Sequence, residues 1–253
     1  MLAHILRPPP LIARTLVFAA LLGVWELASL AGFVSRFIAP PPSEIFPAIG
    51  ALFSDNDLVA AFLRTFGEVL AAAGIGSALG MLVGWWLHHD KSAGRAYTDW
   101  IAATAAAPLV LLFPLFLVLF GRNAATIVAM GAVAALPPVI LKTREGLDNV
   151  RVVLIDVGRT FRLTRWQQVR MILFPASLPT IFTGLRLGLV FALINVIGVE
   201  FLIGFGGLGL TIAELGDRFE IAGMYAAILF VVLCSAIFFF LTEKLETWLL
   251  SAR

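Results

Sequence analysis

Three polar residues, Arg186, Asn195 and Glu200, lie within the apolar run from Ile181 to Ile203 of this 253-residue sequence. A charged side chain at the centre of a bilayer costs about 3 kcal/mol on insertion scales, so such groups should turn toward protein or a water-filled passage, where they can handle a polar solute. Glu200 follows Arg186 by fourteen residues. On a helix that separation is about 21 Å, so the two are not expected to pair directly within one span. Glu200 has two readings, a hydrogen-bonded packing or gate residue and a direct solute contact, and the residues leave both open.

Reaction chemistry is not expected elsewhere. No glycine-rich loop closes on Lys-Ser or Lys-Thr, so the chain should not bind ATP or power itself. His4, His88 and His89 fall at expected membrane edges without metal-ligand spacing or a nearby nucleophile, and read as interfacial residues. The single cysteine, Cys234, sits in an apolar run and reads as a small packing residue. With no cluster of acid, base or metal ligands, a membrane enzyme is the weakest of the functional classes, and no catalytic residue, cofactor or metal is expected.

The one long polar segment runs from Asn149 to Pro179, NVRVVLIDVGRTFRLTRWQQVRMILFPASLP. Arg151, Arg159, Arg162, Arg165 and Arg170 are interleaved with apolar residues three and four apart, which predicts amphipathic helix rather than linker. Two short helices at a membrane surface are expected, with a break near Arg162-Leu163, because Thr164 followed by Gln167 is a capping-box start. Pro175 and Pro179 are expected to end the second helix.

The elements that must position these groups are set by composition: 60% of residues are hydrophobic, 13% are charged, and the mean hydropathy is +0.98. That is a polytopic all-α membrane protein. A ruler of about 20 apolar residues per span finds six. They run near residues 16–32, 62–87, 100–120, 124–141, 181–203 and 224–241. With the N-terminus inside, thirteen lysines and arginines, Arg7, Arg14 and Arg253 among them, fall on cytoplasmic segments against Arg36, Arg64, Arg122 and Arg218 outside, placing both termini in the cytoplasm. Positive charge is thus distributed by loop rather than gathered on a face for nucleic acid.

Within the spans, Gly76, Gly80 and Gly84 form a stripe of small residues that lets helices approach closely or lines a path. Pro108, Pro114, Pro137 and Pro138 remove helix hydrogen bonds that lipid cannot replace, so each should face protein or water, as a kink or as a shaper of the passage. In the first outer loop Pro40-Pro41-Pro42 precedes a short helix that Ser43 can cap. Between spans five and six, Gly204 to Leu210 supplies backbone freedom for a tight turn at membrane depth.

The polar segment resembles the cytoplasmic loop of ABC-importer permeases, whose pattern is Glu-Ala-Ala, three residues, Gly, nine residues, Ile, one residue, Leu-Pro. It lays Asp156-Val157-Gly158 on the triplet, Arg162 on the glycine, Ile172 on the isoleucine and Phe174-Pro175 on the end, with Asp156, Gly158, Arg162 and Phe174 departing from it. Leu178 to Arg186 is similar to the "LPxxxTGLR" of the sulfonate, nitrate and taurine branch, and Gly207-Leu208-Gly209 to a "GLG" stretch after the fifth span. The resemblance runs from about Phe37 to Leu249.

What the resemblance implies is a type I importer permease, one membrane domain over residues 1–253, in the bacterial inner membrane. Its first span is retained, although Arg7 and Arg14 ahead of it give it the look of a signal peptide. Two copies would enclose a path for a small anionic solute, served by two cytoplasmic ATPase subunits, which bind the ATP, and by an extracytoplasmic solute-binding protein. Asp156, Gly158, Arg159, Phe161, Arg162, Thr164, Arg165 and Trp166 would couple to the ATPase, and Glu200, Asn195, Pro108 and Pro114 would line or gate the path. A secondary transporter using Glu200 as its coupling carboxylate is the alternative, but no inverted repeat supports it.

Overall fold

The computed structural model describes residues 10–54 and 57–251. His4, Arg7 and Arg253, which entered the readings above, lie outside them. The described residues are helical throughout, with no strand: α1 Pro10–Leu30, α2 Pro42–Ser54, α3 Asp57–His89, α4 Lys91–Ala106, α5 Phe113–Phe120, α6 Ala124–Asp148, α7 Val152–Thr160, α8 Arg165–Gln168, α9 Phe174–Ile203, α10 Gly207–Asp217 and α11 Ile221–Ser251. Contacts divide them into two compact units, one drawn from Met1–Val59 and Thr211–Val231, the other from Ala60–Leu210 and Val232–Arg253.

Four described helices are long and apolar enough to cross a bilayer, Leu58–His89, Ala124–Asp148, Arg165–Ile203 and Ile221–Trp248, and a broken pair makes five if it counts as one span. Six spans are therefore not reached by length and composition alone. The 21-residue α1 covers the first expected span without being among the four. The third expected span is corrected: α4 ends at Ala106, a 3₁₀ turn covers Leu109–Leu112, and the chain bends by 89° before it reaches Phe120. Pro108 is the cause, because it lacks the N–H that would continue α4 and pushes Ala107 out of the helical region, to ψ 142°. Pro114, by contrast, sits in the first turn of α5, where a missing N–H costs nothing.

In the first unit, α2 begins one residue before Ser43, and Ser43 is not its cap. Its N–H and O–H both donate to the Glu26 carboxylate of α1, at 3.1 and 2.7 Å, so a charge from α1 caps α2 instead. Ser29 Oγ donates to the Ala39 carbonyl at 3.0 Å and Tyr225 Oη to that of Ile38 at 2.9 Å, holding the connecting loop down.

The second unit is built around α6, which α3 and α9 flank. A Cβ on Gly76 would lie 2.6 Å from the Ala132 carbonyl, on Gly80 2.8 Å from Val139, and on Gly84 2.7 Å from Thr143, so α3 rests directly on α6. Gly184 and Gly188 of α9 meet Lys142 and Val139 of α6 as closely, at 2.6 Å. Where the three helices converge, Val69, Ile127, Val196 and Val199 are fully buried. Pro137 and Pro138 are buried inside an unbroken α6, facing protein as expected. The stripe therefore serves packing. We expect Gly76→Val to cost about 1–3 kcal/mol by overpacking. Gly74→Val, with nothing within 4 Å of its Cβ, should cost far less. Thermal unfolding of the solubilised protein reads the difference, and equal losses would sink the packing assignment.

The polar segment folds as two short helices, with one correction. Pro175 and Pro179 do not end the second. From Arg165 the helix runs unbroken to Ile203, passing through a π-helical turn at Val169–Leu173. Pro175 follows that turn in the first positions of α9. Around Pro179, Ser177 Oγ donates to the Phe174 carbonyl at 3.1 Å and Thr183 Oγ1 to that of Pro179 at 3.1 Å.

Candidate functional site

Glu200 lies on the last turn of α9 and is 0% exposed. A buried carboxylate needs donors, and the chain supplies them from two places. Thr65 Oγ1 of α3 is 2.8 and 2.9 Å from the two carboxylate oxygens, and the Gly209 N–H donates to Oε2 at 2.9 Å. The Leu208 N–H donates in turn to Thr65 Oγ1 at 2.8 Å. One hydroxyl thus links α3, the end of α9 and the start of α10.

The chain can make this approach because of its glycines. Gly204 caps α9 in the left-handed region at φ +57°, and Gly206 and Gly207 follow at +65° and +71°. A Cβ on Gly207 would overlap the Glu200 carboxylate, and one on Gly206 the Arg64 guanidinium. The tight turn expected at membrane depth is present, but the segment after it is helix rather than open loop, since α10 begins at Gly207.

Two arginines close over this turn. Arg64 stacks on the Phe205 ring with its Cζ 4.5 Å from the centroid, while its Nε contacts Glu68 Oε1 at 3.3 Å, and Arg122 donates to the Gly204 carbonyl. Glu68 is itself 7% exposed, and its Oε2 has no hydrogen-bond partner among the described residues. Arg64, Thr65 and Glu68 are site residues that span length and loop charge do not single out. Their signal is nonetheless in the sequence, for three polar residues occupy little more than one turn inside an otherwise apolar run.

The other expected path residues are not gathered here. Asn195 Nδ2 donates to its own helix, at the Phe191 carbonyl, 3.0 Å away. Arg186 pairs with Glu246 of α11 at 3.3 Å and lies over Phe239, not with Glu200, as their spacing required. Pro108 lies at the break of the bent pair, exposed, and Pro114 lies in its second half.

The eight expected coupling residues are contiguous in space. α7 closes with the Phe161 N–H on the Val157 carbonyl and the Leu163 N–H on that of Gly158, at 3.1 and 3.0 Å. Arg162 makes the turn at φ +52°, a conformation in which an L-residue with a side chain is strained by about 1 kcal/mol. Thr164 then starts α8 with the full capping box: Gln167 N–H to Thr164 Oγ1 at 3.3 Å and Thr164 N–H to Gln167 Oε1 at 2.9 Å. Gly158 is buried where a Cβ would stand 2.6 Å from Ile172, so the triplet and isoleucine positions touch. Asp156 and Arg159 form an exposed pair at 3.1 Å. Phe161 and Trp166 stand on either side of the turn, 75% and 70% exposed, beside exposed Val152, Val153 and Val157. Exposed apolar side chains grouped on a polar segment are the kind of surface that meets a protein or a membrane.

Known proteins share this arrangement of helices. The chain is 27% identical over 246 residues to the formylaminopyrimidine transport permease ThiX of Halalkalibacterium halodurans, covering 94% of this chain and 95% of that one. It is 27% identical over 234 residues to the nitrate import permease NrtB of Synechocystis, covering 88% and 83%. Among solved structures, the inward-facing MetNI methionine ABC transporter superposes with a TM-score of 0.65 at 19% identity, over 75% of this chain and 94% of that chain, which shows a common fold. Residues 76–250 match the model of the binding-protein-dependent transport system inner membrane component, and the chain belongs to that family of multi-pass ABC-importer permeases.

Proposed function

We propose that this permease forms the translocation path of an ATP-driven importer for a small anionic solute, such as nitrate, a sulfonate or taurine, and is coupled to a separate ATPase through Val152 to Arg170. The observation that carries the coupling is the exposed pair Phe161 and Trp166 held on either side of the Arg162 turn. The solute class is supported by the nitrate permease among its relatives. The working assembly is two copies of this chain, each a single membrane domain, with two ATPase subunits that bind the ATP and an extracytoplasmic solute-binding protein. Asp156, Gly158, Arg159, Arg162, Thr164 and Arg165 shape the docking element. Glu200 gates the outer end of the path, and Asn195, Pro108 and Pro114 border the path. As a proton-coupling carboxylate Glu200 is less well suited, since Thr65 and Gly209 already engage its oxygens.

Uptake into proteoliposomes holding permease, ATPase and binding protein tests this reading, with nitrate, an alkanesulfonate, taurine and formylaminopyrimidine offered in turn. ATP-dependent accumulation of an anion is expected. Uptake without ATP would overturn the importer reading, and accumulation of the heterocycle alone would overturn the anion assignment. The thirteen-to-four charge asymmetry supports a cytoplasmic location for both termini. In a Cys234→Ala background, Ser92→Cys and Arg170→Cys should therefore react with impermeant thiol reagents only from the cytoplasmic side, and Ser35→Cys only from outside. Labelling of position 170 from outside would reverse the orientation.

A further inference from the structure

A cavity of about 520 Å³ opens between the last turns of α3 and the first turns of the helix that follows the Arg162 turn. Its wall is made by Trp85, His88 and His89 from α3 and by Arg165, Trp166 and Val169 from the other side, with Leu173 at its apolar end. Every ionisable group in that lining is a base, and none is a carboxylate. The Arg165 side chain makes no hydrogen bond or ion pair among the described residues. Of the acids beside this lining, Asp148 is already held by His88 at 2.6 Å, Lys91 at 2.7 Å and Arg144 at 3.3 Å, and Asp90 caps α4 by accepting from the Ser92 and Ala93 N–H groups. The cavity therefore carries on its rim a guanidinium with no partner among the described residues.

The remaining wall is mostly apolar, Gln168 excepted, whose amide already donates to the Ile155 carbonyl, and it begins where a membrane span ends. His88 and His89 form the last turn of α3, a span of Leu58–His89, and the Trp85 ring stands 6.2 Å from that of His88. Tryptophan at this level is the residue type that sits among lipid headgroups. A free phosphate would use the arginine and leave the two indoles, Val169 and Leu173 wet. A phospholipid uses both parts, with its phosphodiester against Arg165 and the histidine edge and an acyl chain along Trp85, Val169 and Leu173. We propose that this cavity binds one anionic phospholipid and thereby joins the bilayer to the start of the Arg165–Ile203 helix. Guanidinium suits the site because it can hold two phosphate oxygens at once. The site stands on the cavity's lining and does not depend on which solute is carried.

Native mass spectrometry of the solubilised full-length permease tests the assignment, with phosphatidylglycerol, phosphatidylcholine and inorganic phosphate titrated separately. Phosphatidylglycerol should be retained at concentrations at least tenfold below phosphatidylcholine, and millimolar inorganic phosphate should not displace it. Arg165→Gln and Trp85→Ala should each lower retention at least threefold, whereas Arg165→Lys should keep much of it. Trp85→Phe guards against a folding defect and should retain the lipid. Equal retention of the two lipids, or undiminished retention in the Arg165→Gln, Trp85→Ala double variant, overturns the proposal. Displacement by inorganic phosphate overturns it in favour of a soluble anion.

Discussion

Glu200→Ala is expected to reduce ATP-driven uptake at least tenfold while the permease still reaches the membrane. The substitution removes both acceptors from a fully buried site, leaving the Thr65 hydroxyl and the Gly209 N–H facing an apolar void. A buried donor left unpaired costs about 1–3 kcal/mol, and two of them suffice to release the glycine turn from α3. Glu200→Gln should behave differently. Its amide oxygen can accept from Gly209, and its NH₂ can donate to Thr65 Oγ1, which has a second lone pair beside the one used by Leu208. Uptake within about threefold of the parent is therefore expected for the glutamine variant, from a net loss below about 1 kcal/mol per altered hydrogen bond. Thr65→Val, which keeps shape and removes the hydroxyl that joins three segments, should fall between the two. Uptake in proteoliposomes separates these outcomes. Normal transport by Glu200→Ala would mean that the tie has no part in the cycle, and equal loss in the glutamine variant would mean that charge rather than hydrogen bonding is required.

The second large effect is expected beyond the other end of the same helix. Trp166→Ala should strip the ATPase from the purified complex, because an exposed indole at the centre of an interface is the kind of residue that contributes 2 kcal/mol or more, about thirtyfold in affinity. Arg162 makes a subtler case. Its φ of +52° is easy for glycine, so Arg162→Gly should relax the turn by about 1 kcal/mol while losing the guanidinium. Arg162→Glu keeps the strain and reverses the charge, and should weaken ATPase retention more than glycine does if a partner carboxylate meets this position. The decisive variant combines Phe161→Ala, Arg162→Glu and Trp166→Ala. Full copurification and solute-stimulated hydrolysis in that triple variant would show that this turn does not couple.

These two regions are not equally legible in the sequence. The turn at Arg162 is readable as structure because its determinants are local: a capping box spans three residues, and the turn is made by its immediate neighbours. Pro175 and Pro179 mislead for a related reason. Proline stops a helix only where the lost hydrogen bonds cannot be tolerated, and here Pro175 falls in the first positions of α9 just after a π turn, with Pro179 carried one turn later within the same helix. Pro108 is the opposite case: it lies inside an apolar run long enough for a span and yet breaks it, and hydropathy alone does not separate it from Pro137 and Pro138, which α6 tolerates. At the Glu200 site, burial of that side chain follows from hydropathy. Its partners do not, because Thr65 lies 135 residues away and only the packing of α3 against the core of α6 and α9 brings it there.

The π turn at Val169–Leu173 also fixes an angular relationship. An α-helix advances about 100° per residue, so one extra residue taken up in a wider turn rotates everything before it by about that amount relative to everything after it. Arg165 and Trp166 therefore project from an azimuth offset from the one that the residues of α9 would assign to them. Deleting a single residue between 169 and 173 would let the turn revert to regular α geometry while Arg165 and Trp166 keep close to their present azimuth, because the wide turn has already absorbed that residue. Deleting a residue between Trp166 and the wide turn would instead swing both side chains about the axis by about 100° and draw them about 1.5 Å closer to the membrane end of α9. The π turn is therefore a place where a change of length is absorbed, whereas the same change beside it acts as a rotation of the exposed face.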